Sequence, residues 1–311
     1  MAGNALRTLA ADPACRAAFL SSPALRELFH VPASRYVVST SRDALWPRLE
    51  TLRVKGYRVG VEFVGEEATD SAEIELICQE YLALVAETPD GLTTQLGFDL
   101  SNVGLLVDRE LALENTARIV AAAATRDMPV MISMERSTLV DSILGVFHEL
   151  APLHWNLGLT LQAHLHRTST DLDEVARLGC PVRLVKGAYR EAASVALDRS
   201  PALTNRYADL VEALLERGVR PACGTHDAMT LSLLGARGLL DEIAEVEMLH
   251  GVQPELLRTY RERGTPCRVA TVYGTNWWLH FLHRLAEHPP AVVTALADVA
   301  HPERVRLRCD Y

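Results

Sequence analysis

Short apolar runs alternate with amphipathic stretches along most of the chain. From about residue 42 the exchange is regular: "ALWPRLETLRVKG" carries apolar residues at helical spacing, and "YRVGVEFVG" reads as a strand. The pattern then repeats as "SAEIELICQEYLALVAE" and "LTTQLGF", "ELALENTARIVAAAATR" and "PVMISM", "TLVDSILGVFHEL" and "LGLTLQAHL", "DLDEVARLG" and "PVRLVKG". It continues with "PALTNRYADLVEALLERG" and "RPACGTH", "AMTLSLLGARG" and "AEVEML", "PELLRTYRERG" and "PCRVATVYG", and closes on the helix "NWWLHFLHRLAEH". Upstream, residues 4–29 read as short helices broken at Pro13 and Pro23, and "HVPASRYVVSTSRD" as a connection.

Short strands rich in Val, Ile and Leu, separated by helices, predict a parallel sheet covered by helices. Eight strand–helix pairs in a chain of 311 residues match the count and size of an α/β (β/α)8 barrel, with a doubly wound open sheet as the alternative. The expected organisation is an N-terminal helical segment, residues 1–41, followed by a barrel over residues 42–311.

Composition narrows the picture. The apolar fraction, 49%, supports a large core, and 23% charged residues argue against long disorder. A net charge of −9 without a basic stripe excludes the usual nucleic-acid binder. No apolar run reaches the ~18–20 residues that span a bilayer, so no integral membrane segment is expected. The opening "MAGNALRTLAADPACRAAFL" lacks the charged-then-apolar order of a secretory signal. Six cysteines with no CxxC read as reduced, which points to the cytoplasm.

In such barrels chemistry sits where strands run into loops. Polar residues cluster there: Ser133 and Glu135 after the third strand, and Gln162, His164 and His166 after the fourth. The fifth carries Arg183 and Lys186, then Gly187 and Tyr189; the sixth ends in Thr225, His226 and Asp227, and the seventh in Glu247 and His250. On the last helix His280, His283, Arg284 and Glu287 share one face beside Trp277, Trp278, Phe281 and Leu282, either as a solvated, salt-bridged strip or as a roof over the barrel mouth. Two chemistries compete. His164 and His166 suit a metal-dependent hydrolase with a Zn²⁺ centre. Arg183, Lys186, the Gly187 backbone and the Thr225–His226 pair suit an anionic, phosphate-bearing cofactor. No GxGxxG follows a strand, which argues against a Rossmann site.

The motifs "LQAHLHRT", "RLVKGAYRE", "THD", "MLHGV" and "YGTNWWLHFLHRLAEHP", with "FVGEEATD" and "MISMERS" before them, resemble the proline dehydrogenase family over about residues 57–290. The resemblance implies a distorted (β/α)8 barrel with non-covalent FAD. Its enzymes oxidise the C–N bond of proline and pass electrons onward, often to a quinone. Carried over by motif, Met134, Gln162, Arg183, Lys186, Gly187, Ala188, Thr225, His226 and Glu287 are the implied cofactor contacts, with Arg183 and Tyr189 beside the reacting centre. The implied substrate side is Ser133, His164, His250, His280, His283 and Arg284, of which His283 and Arg284 are catalytic candidates.

That side departs from the family. Two adjacent Arg residues that hold the proline carboxylate read His283–Arg284 here. A family Asp reads Ser133, its Lys partner Leu92, one Tyr Ala270, and two further Tyr residues His164 and His250. Loss of one arm of a bidentate clamp costs about 2–4 kcal/mol of recognition. The expectation is a flavin dehydrogenase for a different amine: a substituted imino acid, a small amino or hydrazino acid, or a carrier-tethered acid. The added histidines are expected to accept the amine's proton. A decayed enzyme that only binds its ligand is the bland alternative, and a peripheral place at the membrane goes with quinone coupling.

Overall fold

The computed structural model describes residues 2–65, 67–92, 94–288, 290–305 and 311; Glu66, Thr93, Pro289 and most of the tail, including Cys309, lie outside them. Three short helices come first, α1 (Ala2–Ala11), α2 (Pro13–Ser21) and α3 (Pro23–Ala33), followed by a short strand β1 (Val37–Ser39). The alternating part runs α4 (Arg42–Val54), β2 (Arg58–Phe63), α5 (Ser71–Glu87), β3 (Thr94–Phe98), α6 (Arg109–Ala124), β4 (Val130–Ile132), α7 (Val140–Leu150) and β5 (Leu157–Gln162). It continues α8 (Thr168–Arg177), β6 (Val182–Val185), α9 (Pro201–Glu216), β7 (Ala222–Gly224), α10 (Ala228–Ala236), β8 (Glu245–Leu249), α11 (Pro254–Glu262) and β9 (Cys267–Tyr273). Two further helices follow, α12 (Trp278–Glu287) and α13 (Ala291–Ala300).

Strands β2 to β9 pair in sequence order, all parallel, and β9 pairs with both β8 and β2, which closes the cylinder. The expected barrel is therefore formed, and the open doubly wound sheet is not. The stretch read as a connection contains β1, which adds to the outside of β9. A helix that the sequence pattern does not predict, α13, follows α12.

Strand side chains alternate between two environments. The outward set, including Val59, Val61, Leu96, Phe98, Leu159, Val182, Leu184, Val246 and Val269, is fully buried under the helices. The inward set is unlike the bulky aliphatic layers that usually fill such barrels. Gly60, Glu62, Gln95, Gly97, Thr160, Arg183, Gly224, Glu247 and Ala270 face one interior cavity. Small residues leave the space, and charged residues line it.

Helix starts follow ordinary capping chemistry. Asp70 accepts from the backbone N–H groups of Ala72 and Glu73, and Asp227 from that of Met229. The N-terminal helices pack on the C-terminal pair: Phe19 lies against Trp278 at 4.5 Å and Trp277 at 5.3 Å between ring centres. A second apolar cluster, with Phe281, Leu282 and Leu285, forms there. Arg35, just after α3, clamps the fully buried Asp298 of α13 with two hydrogen bonds of 2.8 Å.

Candidate active site

A cavity of about 670 Å³ opens at the C-terminal ends of the barrel strands. Arg183, on β6, stands in its floor. Its Nε donates to Thr160 Oγ1 (2.9 Å), one terminal nitrogen donates to Glu247 Oε1 (2.8 Å), and the other to Ser133 Oγ (3.1 Å). The guanidinium is thus fixed by strands β5 and β8 and by the residue after β4. Below it, Glu245 accepts from Arg268, whose Nε also lies 3.8 Å from Glu247 Oε2.

Beyond Arg183 the chain turns sharply. Gly187 has φ +107°, a conformation side chains rarely adopt, and a Cβ there would overlap the His164 ring. The turn brings Lys186, Ala188 and Tyr189 to the wall, joined by Arg199. Lys186 Nζ donates to Asp227 Oδ2 (2.5 Å) and Thr204 Oγ1 (3.0 Å). Met134, Thr225 and His226 also line the cavity, as do His280, Arg284 and Glu287 from α12. Arg284 pairs with Glu287 at 2.9 Å, and its buried Nε has no hydrogen-bond partner. The last helix is therefore a wall of the cavity rather than a solvated strip.

Electrostatics divide the cavity. The side built by β2, β3 and β4 carries Glu62, Gln95, Asp99 and Ser133; the opposite side carries Arg183, Lys186, Arg199 and Arg284. Burial, then the neighbouring charge of Asp99, raises Glu62 above the usual carboxylate range; burial raises Asp99 despite Arg183 and a hydrogen bond from Ser133. Burial, then Arg284, lowers His226 to about 4, and burial puts His280 well below its ordinary value. Both imidazoles are neutral at pH 7, and burial likewise lowers the substituted residues His164, His250 and His283.

Several expected residues are not on the wall. Gln162 is buried behind it, donating to the carbonyls of Met134 (2.8 Å) and Glu135 (3.0 Å). His164 is buried beneath Gly187, with neither ring nitrogen hydrogen-bonded. His250 faces away, because Glu247 and Leu249 occupy the inward positions of β8; its Nδ1 lies 2.9 Å from Tyr311 Oη. His283 does not line the cavity although its helix does. Leu92 precedes β3 and belongs to the apolar core, whereas the inward positions of that strand are Gln95 and Gly97. His166 is exposed and bonds the Ala193 carbonyl (3.0 Å). Among the described residues no group of three or more His, Cys, Asp or Glu can hold a metal ion, which removes the support for the hydrolase reading.

Sequence reasoning missed Glu62, Asp99, Gln95, Arg199 and Tyr36 on the wall. Glu62 carried a signal: a carboxylate two positions after Gly60 within an apolar strand must face a polar interior.

Comparison with known proteins fits this geometry. The proline dehydrogenase family model matches residues 45–288. Proline dehydrogenase 1 of Bacillus subtilis (strain 168) is 29% identical over 272 residues, covering 86% of this chain and 90% of the relative. Proline dehydrogenase of Deinococcus radiodurans is 28% identical over 267 residues, covering 83% and 86%. A solved structure of proline utilization A (PutA) from Bdellovibrio bacteriovorus, inactivated by N-propargylglycine, superposes with TM-score 0.73 at 18% identity; the alignment covers 91% of this chain and about a third (35%) of that one. That likeness supports the barrel independently of sequence. With its family model spanning most of the barrel, the chain belongs to the proline dehydrogenase family of oxidoreductases acting on CH–NH donors.

Proposed function

We propose that the chain is an FAD-dependent dehydrogenase that oxidises the C–N bond of a proline-like amine to an imine and passes the electrons to an acceptor such as a quinone. The observation that carries this reading is Arg183: a buried guanidinium fixed by Thr160, Ser133 and Glu247 at the floor of an open cavity, in the motif that resembles the family's flavin contact. The donor set fits an anionic cofactor. Lys186, Arg199 and the Gly187 backbone line one side of the mouth. Bound FAD supplies the two-electron acceptor. Arg183 supplies a fixed positive charge where negative charge develops. Its three hydrogen-bond partners keep it from reorienting.

The substrate side supports an amine other than plain proline. Arg284 is already satisfied in part by Glu287, Ala270 leaves room, and Ser133 is committed to Arg183 and Asp99. The test is a visible absorption spectrum of the purified protein, then anaerobic titration with proline and ring-substituted prolines. The expected result is a yellow protein bleached faster by a substituted substrate than by proline. A colourless protein that takes up no FAD would overturn the dehydrogenase reading, and efficient turnover of proline itself would overturn the altered substrate.

A further inference from the structure

The barrel interior carries a line of alternating charge that runs down from the site. Arg183 donates to Glu247 Oε1 (2.8 Å), and the other oxygen of Glu247, Oε2, lies 3.8 Å from Arg268 Nε. The same Nε donates to Glu245 Oε1 (2.6 Å), whose second oxygen accepts from Arg58 (3.0 Å). Strand register builds this line. Glu245 and Glu247 are two apart on β8, Arg268 stands opposite Glu247 on β9, and Arg58 stands opposite Arg268 on β2. Gly60 leaves room for the arginine stem, since a Cβ there would meet Arg268 Cδ at 3.4 Å. Arg58 ends the line at the surface, whereas the Glu245, Glu247 and Arg268 side chains are 4%, 5% and 11% exposed.

Stability does not account for such a line. Buried ion pairs return little over apolar side chains of similar size, and barrels of this kind usually fill their layers with Val, Ile and Leu. The geometry at Glu247 gives another reason. Its Oε2 is buried and accepts no hydrogen bond among the described residues, so the charge of Arg268 is what draws it away from Arg183. Arg268 is itself anchored, by Glu245 and by the Val59 carbonyl (2.6 Å).

We propose that Arg268 is a positioning residue for the flavin reaction: it keeps Glu247 on Arg183 through one oxygen. The guanidinium then retains its bonds to Thr160 and Ser133 and an incompletely neutralised charge toward the cavity. Without Arg268, Glu247 turns both oxygens to Arg183, the geometry a free carboxylate prefers on a guanidinium. Less positive charge is then left where negative charge develops. Arg268 and Glu245 are not among the residues that line the cavity, so they act through Glu247. The role rests on the dehydrogenase reading of Arg183.

The readout is the midpoint potential of FAD bound to the purified protein, measured by anaerobic equilibration with a reference dye. Arg268→Met removes the charge and keeps most of the bulk. It should weaken the hold on reduced relative to oxidised flavin about tenfold, which lowers the two-electron potential by about 30 mV. Arg268→Lys should recover most of that shift. Glu245→Gln frees Arg268 from its competing carboxylate and should move the potential upward. The sign of that second shift decides the matter if Arg268→Met fails to fold. With Glu247→Gln already in place, Arg268→Met should have little further effect, because no carboxylate remains to turn. A potential unmoved by Arg268→Met, an equal shift in the Glu247→Gln background, or no rise with Glu245→Gln would make Arg268 a structural plug and overturn the proposal. Those results with flavin still bound leave the dehydrogenase reading intact, whereas a protein that binds no FAD overturns that reading and this role with it.

Discussion

Gly187 shows how one residue serves the site through backbone alone. Its φ of +107° turns the chain after β6 so that Lys186 and Tyr189 both reach the cavity, and the His164 ring fills the space where a Cβ would go. Gly187→Ala therefore suffers two penalties, a left-handed backbone and a steric overlap, each of about 1–3 kcal/mol. His164→Ala removes only the second. The double variant is expected to recover part of the loss in thermal denaturation, and the single Gly187→Ala variant to lose flavin affinity as well as stability. Additive losses from the two substitutions would show that the ring and the glycine do not meet.

At the scale of elements, the barrel was legible in the sequence and its interior was not. Alternating apolar runs are dominated by outward positions such as Val182 and Leu184, which the helices bury, so each strand announced itself. The site needed strand parity as well. Glu247 and His250 stand at the same strand end, yet three residues apart they take opposite faces, and only Glu247 reaches the cavity. Arg183, Lys186 and Gly187, named from the family motifs, all line the cavity. The motifs misled at Leu92 because the strand begins two residues later. The helix α13 was missed because "AVVTALADVA" follows a Pro pair and has no capping side chain. Its role is visible only in three dimensions, where Asp298 receives Arg35. Asp298→Ala leaves that guanidinium largely buried and without its bidentate partner. Breaking such a pair costs about 3–5 kcal/mol. Since the pair joins α13 to the chain just after α3, limited proteolysis of the variant should release the N-terminal helices before the barrel is cut. Barrel and N-terminal helices cleaved at the same rate would refute that coupling.

Across the whole molecule, two sets of buried groups act on stability with opposite sign as pH falls. His250 Nδ1 lies 2.9 Å from the Tyr311 hydroxyl, which accepts from the Gly251 N–H (2.8 Å). Burial, aided by Arg48 and Arg35, lowers His250 to about 3. The unfolded chain takes up this proton below about pH 6.5 and the folded protein does not, so the contribution of His250 is complete above that pH and declines below it. By pH 5 the decline amounts to about 2 kcal/mol. Glu62 and Asp99 are raised, so their contribution is present at low pH and is lost as pH rises through their folded values. The two effects partly cancel between pH 5 and 7, and the intact protein should show a shallow profile there. Substitution separates them. The disadvantage of His250→Gln relative to the unaltered protein should shrink as pH falls from 7 to 5, whereas that of the Glu62→Gln and Asp99→Asn double variant should grow. Denaturant midpoints at pH 5, 6 and 7 read both slopes directly. Parallel profiles for all three proteins would mean that neither the barrel floor nor the His250 pocket keeps its groups out of water.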